Sequence, residues 1–305
     1  MSGAAEKTIR LDGHSLTLSS LDKVMFPEDG ITKGDVVDYY ARIAETAVPH
    51  YRDRPLTMQR FPDGIDAKGF FQKNMPEHFP AWMARVTLAK EGGEITHVIA
   101  NDAAALVYLA NQACLTPHLA LSRRDRPGHP DRLIFDLDPS DDDFSKVQFA
   151  ARTLRAGLDE LDLPSFVQTT GSRGLHIVVP LDREAGFDRV RAFARRLAES
   201  LARRHPDRLT TAQRKADRGD RVFIDYLRNA YGQTAVAPYA LRARPGAPVA
   251  TPLRWEEALA GGLGPRTYTL GNIFRRLAQT DDPWKPMARR ATGLKGAEER
   301  LASGN

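Results

Sequence analysis

A single cysteine, Cys114, stands in a chain of 305 residues. An internal disulfide framework is therefore excluded, and so is a zinc site built on several thiolates. Cys114 lies in the apolar run Leu109-Ala-Asn-Gln-Ala-Cys-Leu115, which predicts a reduced core residue. Long hydrophobic runs are also missing. No stretch of about 18 apolar residues exists, so no membrane-spanning helix and no membrane partner are expected. Met1–Leu11 lacks the apolar centre of a signal peptide, and a cytoplasmic protein is the expectation. Internal repeats and low-complexity linkers are absent. At about 150 residues per domain the length fits two domains or one large one, and one domain of two lobes is favoured. Excess charge of one sign is small: 44 Lys and Arg against 39 Asp and Glu give +5, which excludes a uniformly basic coat.

The distribution of charge is more telling. Arg203 to Arg221 holds seven basic and three acidic residues, Tyr239 to Trp255 holds three arginines and no acid, and Asp136 to Asp143 holds five aspartates in eight positions. Carboxylates clustered apart from arginine-rich segments point to metal ions and polyphosphates.

Periodicity predicts a helix after the capping sequence Thr32-Lys-Gly-Asp35, with Val36, Val37, Tyr40, Ile43, Ala44 and Ala47 on one face. A second helix should follow Asn101 or Asp102 and turn Leu106, Val107, Ala110 and Ala113 inward. A third should begin at Ser145 with Gln148 completing a capping box, burying Val147, Ala151, Leu154, Leu158 and Leu161. A fourth should run from Phe187 to Arg204 and bury Val190, Phe193, Ala194, Leu197 and Leu201. Strands are expected at 132–138, 166–169, 176–180 and 221–227, with shorter ones at 56–61, 69–73 and 235–242. The polar stretch after about Ala288 reads as a frayed tail. Helices and strands mix without strict alternation, which predicts an α+β fold.

In Leu133-Ile-Phe-Asp-Leu-Asp-Pro139, strand alternation puts Leu133, Phe135 and Leu137 on one face and Asp136 and Asp138 on the other, about 7 Å apart. Paired carboxylates repel unless a cation bridges them, and divalent ions that also bind phosphate oxygens suit this spacing. A solvated strand end would look the same. An EF-hand starting at Asp136 fails, since Asp141 and Val147 stand where glycine and glutamate are needed. A phosphatase of haloacid-dehalogenase type is approached by Asp136-Leu-Asp-Pro-Ser140, but its motif normally opens the core. The third reading is a nucleotide-transferring site with another acid from a second strand. Asp225 in Val222-Phe-Ile-Asp-Tyr-Leu227 is available, although an edge-strand ion pair with Arg218, Arg221 or Arg228 would also explain it.

Thr169-Thr-Gly-Ser-Arg-Gly-Leu-His176 joins two apolar strands. Gly171 and Gly174 permit close backbone approach to an anion, Thr170, Ser172 and Arg173 add donors, and His176 follows. It is not a Walker A loop, and a plain hairpin turn remains an alternative. Leu241-Arg-Ala-Arg244 would put Arg242 and Arg244 on one strand face, suited to phosphate or simply solvated. In Phe70-Phe71-Gln-Lys73 adjacent residues face opposite ways, so at most one phenylalanine should be core and the other could stack on a base. Lys23 and Lys33 flank a Pro-Glu-Asp-Gly turn, where solvated lysines are the default.

Taken in order, Ser20-Leu-Asp-Lys-Val-Met-Phe-Pro, Gly30-Ile-Thr-Lys, Gly69-Phe-Phe-Gln-Lys, Phe135-Asp-Leu-Asp-Pro, Thr170-Gly-Ser-Arg-Gly-Leu-His, Phe223-Ile-Asp-Tyr-Leu-Arg-Asn and Tyr239-Ala-Leu-Arg-Ala-Arg resemble the polymerase domain of bacterial ligase D. That domain is the non-homologous end-joining primase-polymerase of the archaeo-eukaryotic primase superfamily. The resemblance implies two β-sheets lining an active-site cleft with helices outside, a catalytic domain over 16–290, an extension at 1–15 and a tail at 291–305. It implies that Asp136, Asp138 and Asp225 bind two catalytic ions, manganese or magnesium. His118, Thr170, Ser172, Arg173, His176, Arg218, Thr234, Arg242 and Arg244 would surround the incoming NTP or dNTP. Phe70 and Phe71 would contact the template, and Lys23 and Lys33 the downstream 5′-phosphate of a gapped duplex or DNA end. Ribonucleotides would be preferred, with His118 on the 2′-OH. Arg173 stands where the family often has lysine, and Thr170 where some members have serine. Ku and a DNA ligase would be separate partners, the location would be the nucleoid, and the chain would be a stand-alone polymerase or part of a larger ligase. Two other classes predict different behaviour: template-free phosphomonoester hydrolysis for the phosphatase, and DNA-end binding without incorporation for an inactive scaffold.

Overall fold

The computed structural model describes residues 6–303. The chain forms two compact units. The first comprises Met1–Asp125, Thr234–Ala250 and Thr269–Asn272. Its β1 (Lys7–Leu11) and β2 (His14–Leu18) make a hairpin whose Asp12 and Gly13 take φ of 49° and 79°, the two-residue turn that matches strand twist. The short β3 (Val24–Phe26) and β4 (Ile31–Thr32) lead into α1 (Lys33–Tyr51). The expected capping box is present, with Asp35 N–H donating to Thr32 Oγ1 at 3.2 Å and Thr32 N–H donating to Asp35 Oδ2 at 2.8 Å.

The main sheet of this unit joins β5 (Leu56–Arg60), β6 (Phe70–Gln72), β7 (Arg85–Lys90), β8 (Gly93–Val98), β9 (Cys114–Ala120) and β15 (Thr234–Val236) in the order β15-β9-β5-β8-β7, with β6 on β5. α2 (Ala103–Asn111), capped by Asp102, packs on α1. It stops before Ala113, which was expected on its inner face; Ala113 is buried but left-handed (φ 57°) and turns the chain into β9. Cys114 is buried and its thiol is pushed up to about 12, chiefly by burial, so it is an inert core residue.

The second unit comprises Arg126–Gln233, Thr251–Tyr268 and Ile273–Asn305. Its sheet runs β13-β14-β10-β12-β11-β16, from β10 (Arg132–Asp138), β11 (Phe166–Thr169), β12 (Leu175–Pro180), β13 (Leu209–Thr210), β14 (Val222–Asp225) and β16 (Pro252–Leu253). All neighbours are antiparallel except β13 and β14. Leu133, Phe135 and Leu137 share one core with Val147, Leu154 and Leu158 of α3 (Phe144–Glu160) and with Val190, Phe193 and Leu197 of α4 (Phe187–Arg204). The opposite face of β10 is left for the aspartates.

Three local expectations are corrected. α3 is capped by Asp143, whose Oδ1 accepts from Ser145 N–H at 3.0 Å, while Gln148 donates to the Ala258 and Ala260 carbonyls at the end of α5 (Trp255–Ala258) and just past it instead of closing a box. Arg242 and Arg244 do not lie on a strand. After β15 the chain is left-handed at Tyr239 (φ 62°), Leu241 makes only an isolated bridge to Val249, and Arg242 to Ala247 close a tight turn. The polar stretch after Ala288 does not fray. Beyond the short α6 (Ile273–Leu277) it forms α7 (Lys295–Ser303), because Leu294, Ala297 and Leu301 at helical spacing reach the core. Among the described residues no helix is long and apolar enough to cross a membrane.

Candidate active site

Strand register assembles the acids. Asp136 lies directly opposite Asp225 of β14 on one side and His176 of β12 on the other. Gln168 of β11 lies opposite His176. Directly opposed residues share a face, so Asp225, Asp136, His176 and Gln168 form one polar row across four strands, and Asp138 stands two residues along from Asp136 on the same face. His176 Nε2 is 3.5 Å from Asp136 Oδ1, and its Nδ1 is 3.2 Å from Gln168 Nε2. With Gln168 donating, the imidazole proton sits on Nε2 and points at the acids.

Each acid has a different electrostatic setting. Asp138 has both oxygens engaged: Arg173 Nη2 is 3.1 Å from Oδ1, and Arg218 Nη1 is 3.0 Å from Oδ2. Arg218 is nearly buried and fixed, donating to the Ala212 and Gln213 carbonyls and stacking on Phe223 at 4.0 Å. Around Asp136, Arg228 approaches only to 3.9 Å. Burial, and after it the charge of Asp136, pushes Asp225 above the ordinary carboxylate range, against the Leu227 N–H that favours the charged form. Two others of the aspartate cluster serve the helix: Asp141 pairs with Lys146 and Asp143 caps α3.

The glycine loop is built from within. Thr170 Oγ1 accepts from the N–H groups of Ser172 (3.3 Å) and Gly174 (3.2 Å) and donates to the Gly174 carbonyl at 3.1 Å, so this buried hydroxyl shapes the loop. Gly174 is required by close approach, since a Cβ there would lie 1.9 Å from the Leu137 carbonyl oxygen. Gly171 takes φ of 63°. Ser172 and Arg173 are half-buried, and Arg266 Nε holds the Ser172 carbonyl at 2.9 Å.

The remaining candidates belong to the first unit. His118 of β9 and Thr234 of β15 share a sheet face, and the edge of Phe71 meets the His118 ring at 5.3 Å. Phe70 points to the opposite face, where Arg60 lies 5.7 Å from its ring centre. Neither phenylalanine is core: they are 44% and 60% exposed. Lys23 and Lys33 are brought together by the β3–β4 pairing, where Lys33 N–H donates to the Lys23 carbonyl at 2.7 Å. Lys23 pairs with Asp63 at 2.8 Å. Lys33 is buried and donates to the Ser19 carbonyl at 2.6 Å, and burial followed by the Lys23 charge lowers its pKa. Tyr39 and Tyr40 tie down the segment bearing Arg242, through Tyr39 Oη to the Tyr239 carbonyl and Leu241 N–H to Tyr40 Oη.

Sequence reasoning missed Gln168, Arg266 and Asn229. The alternation of 166–169 could have placed Gln168 beside His176. No local signal marks Arg266 or Asn229, whose partners are distant in sequence.

Hard divalent cations match this donor set. Two carboxylates, Asp136 and Asp225, face each other across paired strands, and a third is adjacent. Among the described residues no three acid, histidine or cysteine side chains converge on one point, and Arg173 and Arg218 engage Asp138. The three acids supply the oxygen donors that such a cation takes.

One antiparallel and one mixed sheet with flanking helices, and three acids beside an anion-suited loop, define an α+β protein of the primase-like class. The chain belongs to the LigD primase-polymerase domain family, whose model matches residues 32–284. It is 35% identical over 276 residues to the multifunctional non-homologous end joining protein LigD of Mycobacterium bovis, covering 88% of this chain and 36% of that protein. It is 30% identical over 271 residues to the bifunctional non-homologous end joining protein LigD of Bacillus subtilis, covering 88% of this chain and 43% of that protein. The chain thus spans less than half the length of these relatives. A solved polymerase domain from Mycobacterium tuberculosis ligase D, in complex with DNA, superposes with a TM-score of 0.85 at 34% identity, covering 90% of this chain and 99% of that one. The family is one of metal-dependent nucleotidyltransferases.

Proposed function

We propose that the chain is a template-directed nucleotidyltransferase that extends a primer 3′-OH, with NTPs preferred over dNTPs, and fills gaps and ends during double-strand-break repair by non-homologous end joining. The observation that carries this reading is the register that sets Asp136 against Asp225, with Asp138 on the same face and Arg173 of the Thr170–Gly174 loop on its Oδ1. Asp136, Asp138 and Asp225 would hold two manganese or magnesium ions, which when bound activate the primer hydroxyl and neutralise the triphosphate.

The chain's own groups supply the rest. Ser172, Arg173, Arg218, Arg242, Arg244 and the Nε2 proton of His176 donate to phosphate oxygens, where arginine forks and a fixed dipole oppose the charge that develops on the leaving group. Thr170 holds the loop that presents them. Thr234 and His118 contact the nucleotide, with His118 on the ribose 2′-OH. Phe71 and Phe70 contact the template, and Lys23 and Lys33 take the downstream 5′-phosphate. DNA ends, gapped duplex, Ku and a DNA ligase are the partners, the nucleoid is the location, and 16–290 is the catalytic region.

Primer extension tests this on a gapped duplex carrying a downstream 5′-phosphate, with manganese and either NTPs or dNTPs. Incorporation should vanish in Asp136→Ala/Asp138→Ala. His118→Ala should lose the preference for NTPs while keeping dNTP incorporation. Tight end binding without incorporation in the wild-type protein would leave a scaffold, and incorporation that survives loss of both aspartates would refute the site. Membership of the family removes the phosphatase reading.

A further inference from the structure

Arg266 is exposed, yet its backbone is held from both sides. It takes the third position of the turn Gly264-Pro265-Arg266-Thr267, where proline suits the second position. The turn is closed twice: Thr267 N–H donates to the Gly264 carbonyl at 3.3 Å, and Gly264 N–H donates to Thr267 Oγ1 at 2.8 Å. The next residue, Tyr268, donates its hydroxyl to Glu257, whose carboxylate accepts from buried Arg276 at 2.7 and 3.0 Å. From that base the Arg266 side chain reaches the glycine loop, where Nε donates to the Ser172 carbonyl at 2.9 Å.

The Ser172 carbonyl belongs to the peptide that joins Ser172 to Arg173. No described peptide is cis, so this carbonyl and the Arg173 N–H point in opposite directions. The peptides on either side are fixed from within the loop, because the N–H groups of Ser172 and Gly174 both donate to Thr170 Oγ1. Among the described residues the 172–173 peptide is fixed by Arg266 alone, and its N–H meets no acceptor.

We propose that Arg266 is a positioning residue for phosphate binding: it holds the 172–173 peptide from behind, so that the Arg173 N–H faces away from it as a fixed donor to a phosphate of the incoming triphosphate. The proposal rests on the nucleotidyltransferase reading and deepens it. A carbonyl that accepts from a guanidinium polarises the N–H of the same peptide, and a donor oriented beforehand needs no ordering when the anion arrives.

Two substitutions separate this role from a direct charge on the phosphate. Glutamine carries an N–H group on Cδ, where arginine carries Nε, but no charge; methionine has neither. Inorganic tripolyphosphate is titrated calorimetrically into the full chain in EDTA, and the Arg173 amide is followed in proton–nitrogen correlation spectra. Arg266→Gln should bind within about twofold of wild type. Arg266→Met should bind about 3–10-fold more weakly, as loss of one hydrogen bond implies, with a smaller shift of the Arg173 amide. Its Tm should stay within about 2 °C, since the side chain is exposed. In single-nucleotide incorporation with manganese, Arg266→Met should raise KM for the triphosphate by the same factor and leave kcat within about twofold. If Arg266→Gln loses as much as Arg266→Met, charge is what acts and the proposal is overturned. It is overturned as well if Arg266→Met binds as wild type does, or if the wild-type Arg173 amide ignores tripolyphosphate. Failure of the underlying reading looks different: the wild-type chain would then extend no primer, whatever the variants do with tripolyphosphate.

Discussion

Replacing Gly174 by alanine tests the link between the glycine loop and the acid strand. The new Cβ would lie 1.9 Å from the Leu137 carbonyl oxygen and 3.1 Å from its carbonyl carbon. Real contacts of this kind stay above 3.0 Å, so loop and strand must part by about 1 Å. The obstacle is backbone, and no side-chain rotation relieves it. Leu137 sits between Asp136 and Asp138 and pairs with Leu175, so the displacement falls on the acid row itself. Overpacking of this kind costs about 1–3 kcal/mol, and a backbone clash belongs at the upper end. For a chain of this size that lowers Tm by about 3–5 °C. Misplacing reacting groups by about 1 Å costs about 100-fold in rate. Thermal unfolding and single-nucleotide incorporation should therefore both fall in Gly174→Ala. Gly128→Ala is the control, since its Cβ meets nothing within 4 Å. A Gly174→Ala protein with wild-type Tm and wild-type incorporation would refute the reasoning.

Other outcomes follow from the same geometry. Asp225 binds its proton more tightly folded than unfolded, so the folded state is favoured below its ordinary value of 3.8 and loses stability as pH rises through the raised value. Asp225→Asn should accordingly melt above wild type at pH 7 while losing incorporation, and the difference should close below pH 3.8; a lower Tm at pH 7 would contradict the burial account. Asn229 is buried and bridges β10, accepting from Ile134 N–H at 2.8 Å and donating to the Ile134 and Tyr226 carbonyls at 2.7 and 2.9 Å. Asn229→Ala strands these groups and should cost about 2–4 kcal/mol in denaturant unfolding, with a cost under about 1 kcal/mol counting against the bridge. Phe71→Ala, at a 60% exposed site, should leave Tm within about 2 °C but weaken binding of a gapped template by about 1–3 kcal/mol in fluorescence anisotropy. Unchanged template affinity would remove Phe71 from the interface.

Much of the fold was legible because helices and strands carry local periods. The α1 capping box, the α4 boundaries and the faces of β10 follow from spacings of two to four residues. The hairpin at Asp12-Gly13 was equally legible and was overlooked; its turn dipeptide lies between alternating apolar residues. The strands β7, β8 and β9 escaped because their patterns are short or merge with a preceding helix. Arg242 and Arg244 were misplaced for a different reason: the left-handed turn at Tyr239 is held by tyrosine hydroxyls of α1, 200 and 201 positions earlier in the chain, and no local pattern reports that.

The site divides in the same way. The chain's own order of residues determined that Asp136 and Asp138 share a face turned away from the core, that Asp225 ends a buried strand, and that a glycine-bearing loop precedes His176. Those statements depend only on the two-residue period of a strand and on the conformational freedom of glycine. Tertiary structure alone decided that Asp225 faces Asp136 directly, that Gln168 stands behind His176, that Arg173 and Arg218 close on Asp138, and that Gly174 must be glycine. Each of these depends on which strands pair and in what register, and register is set by burying the apolar faces of segments far apart in the chain, a quantity that no window of neighbouring residues contains.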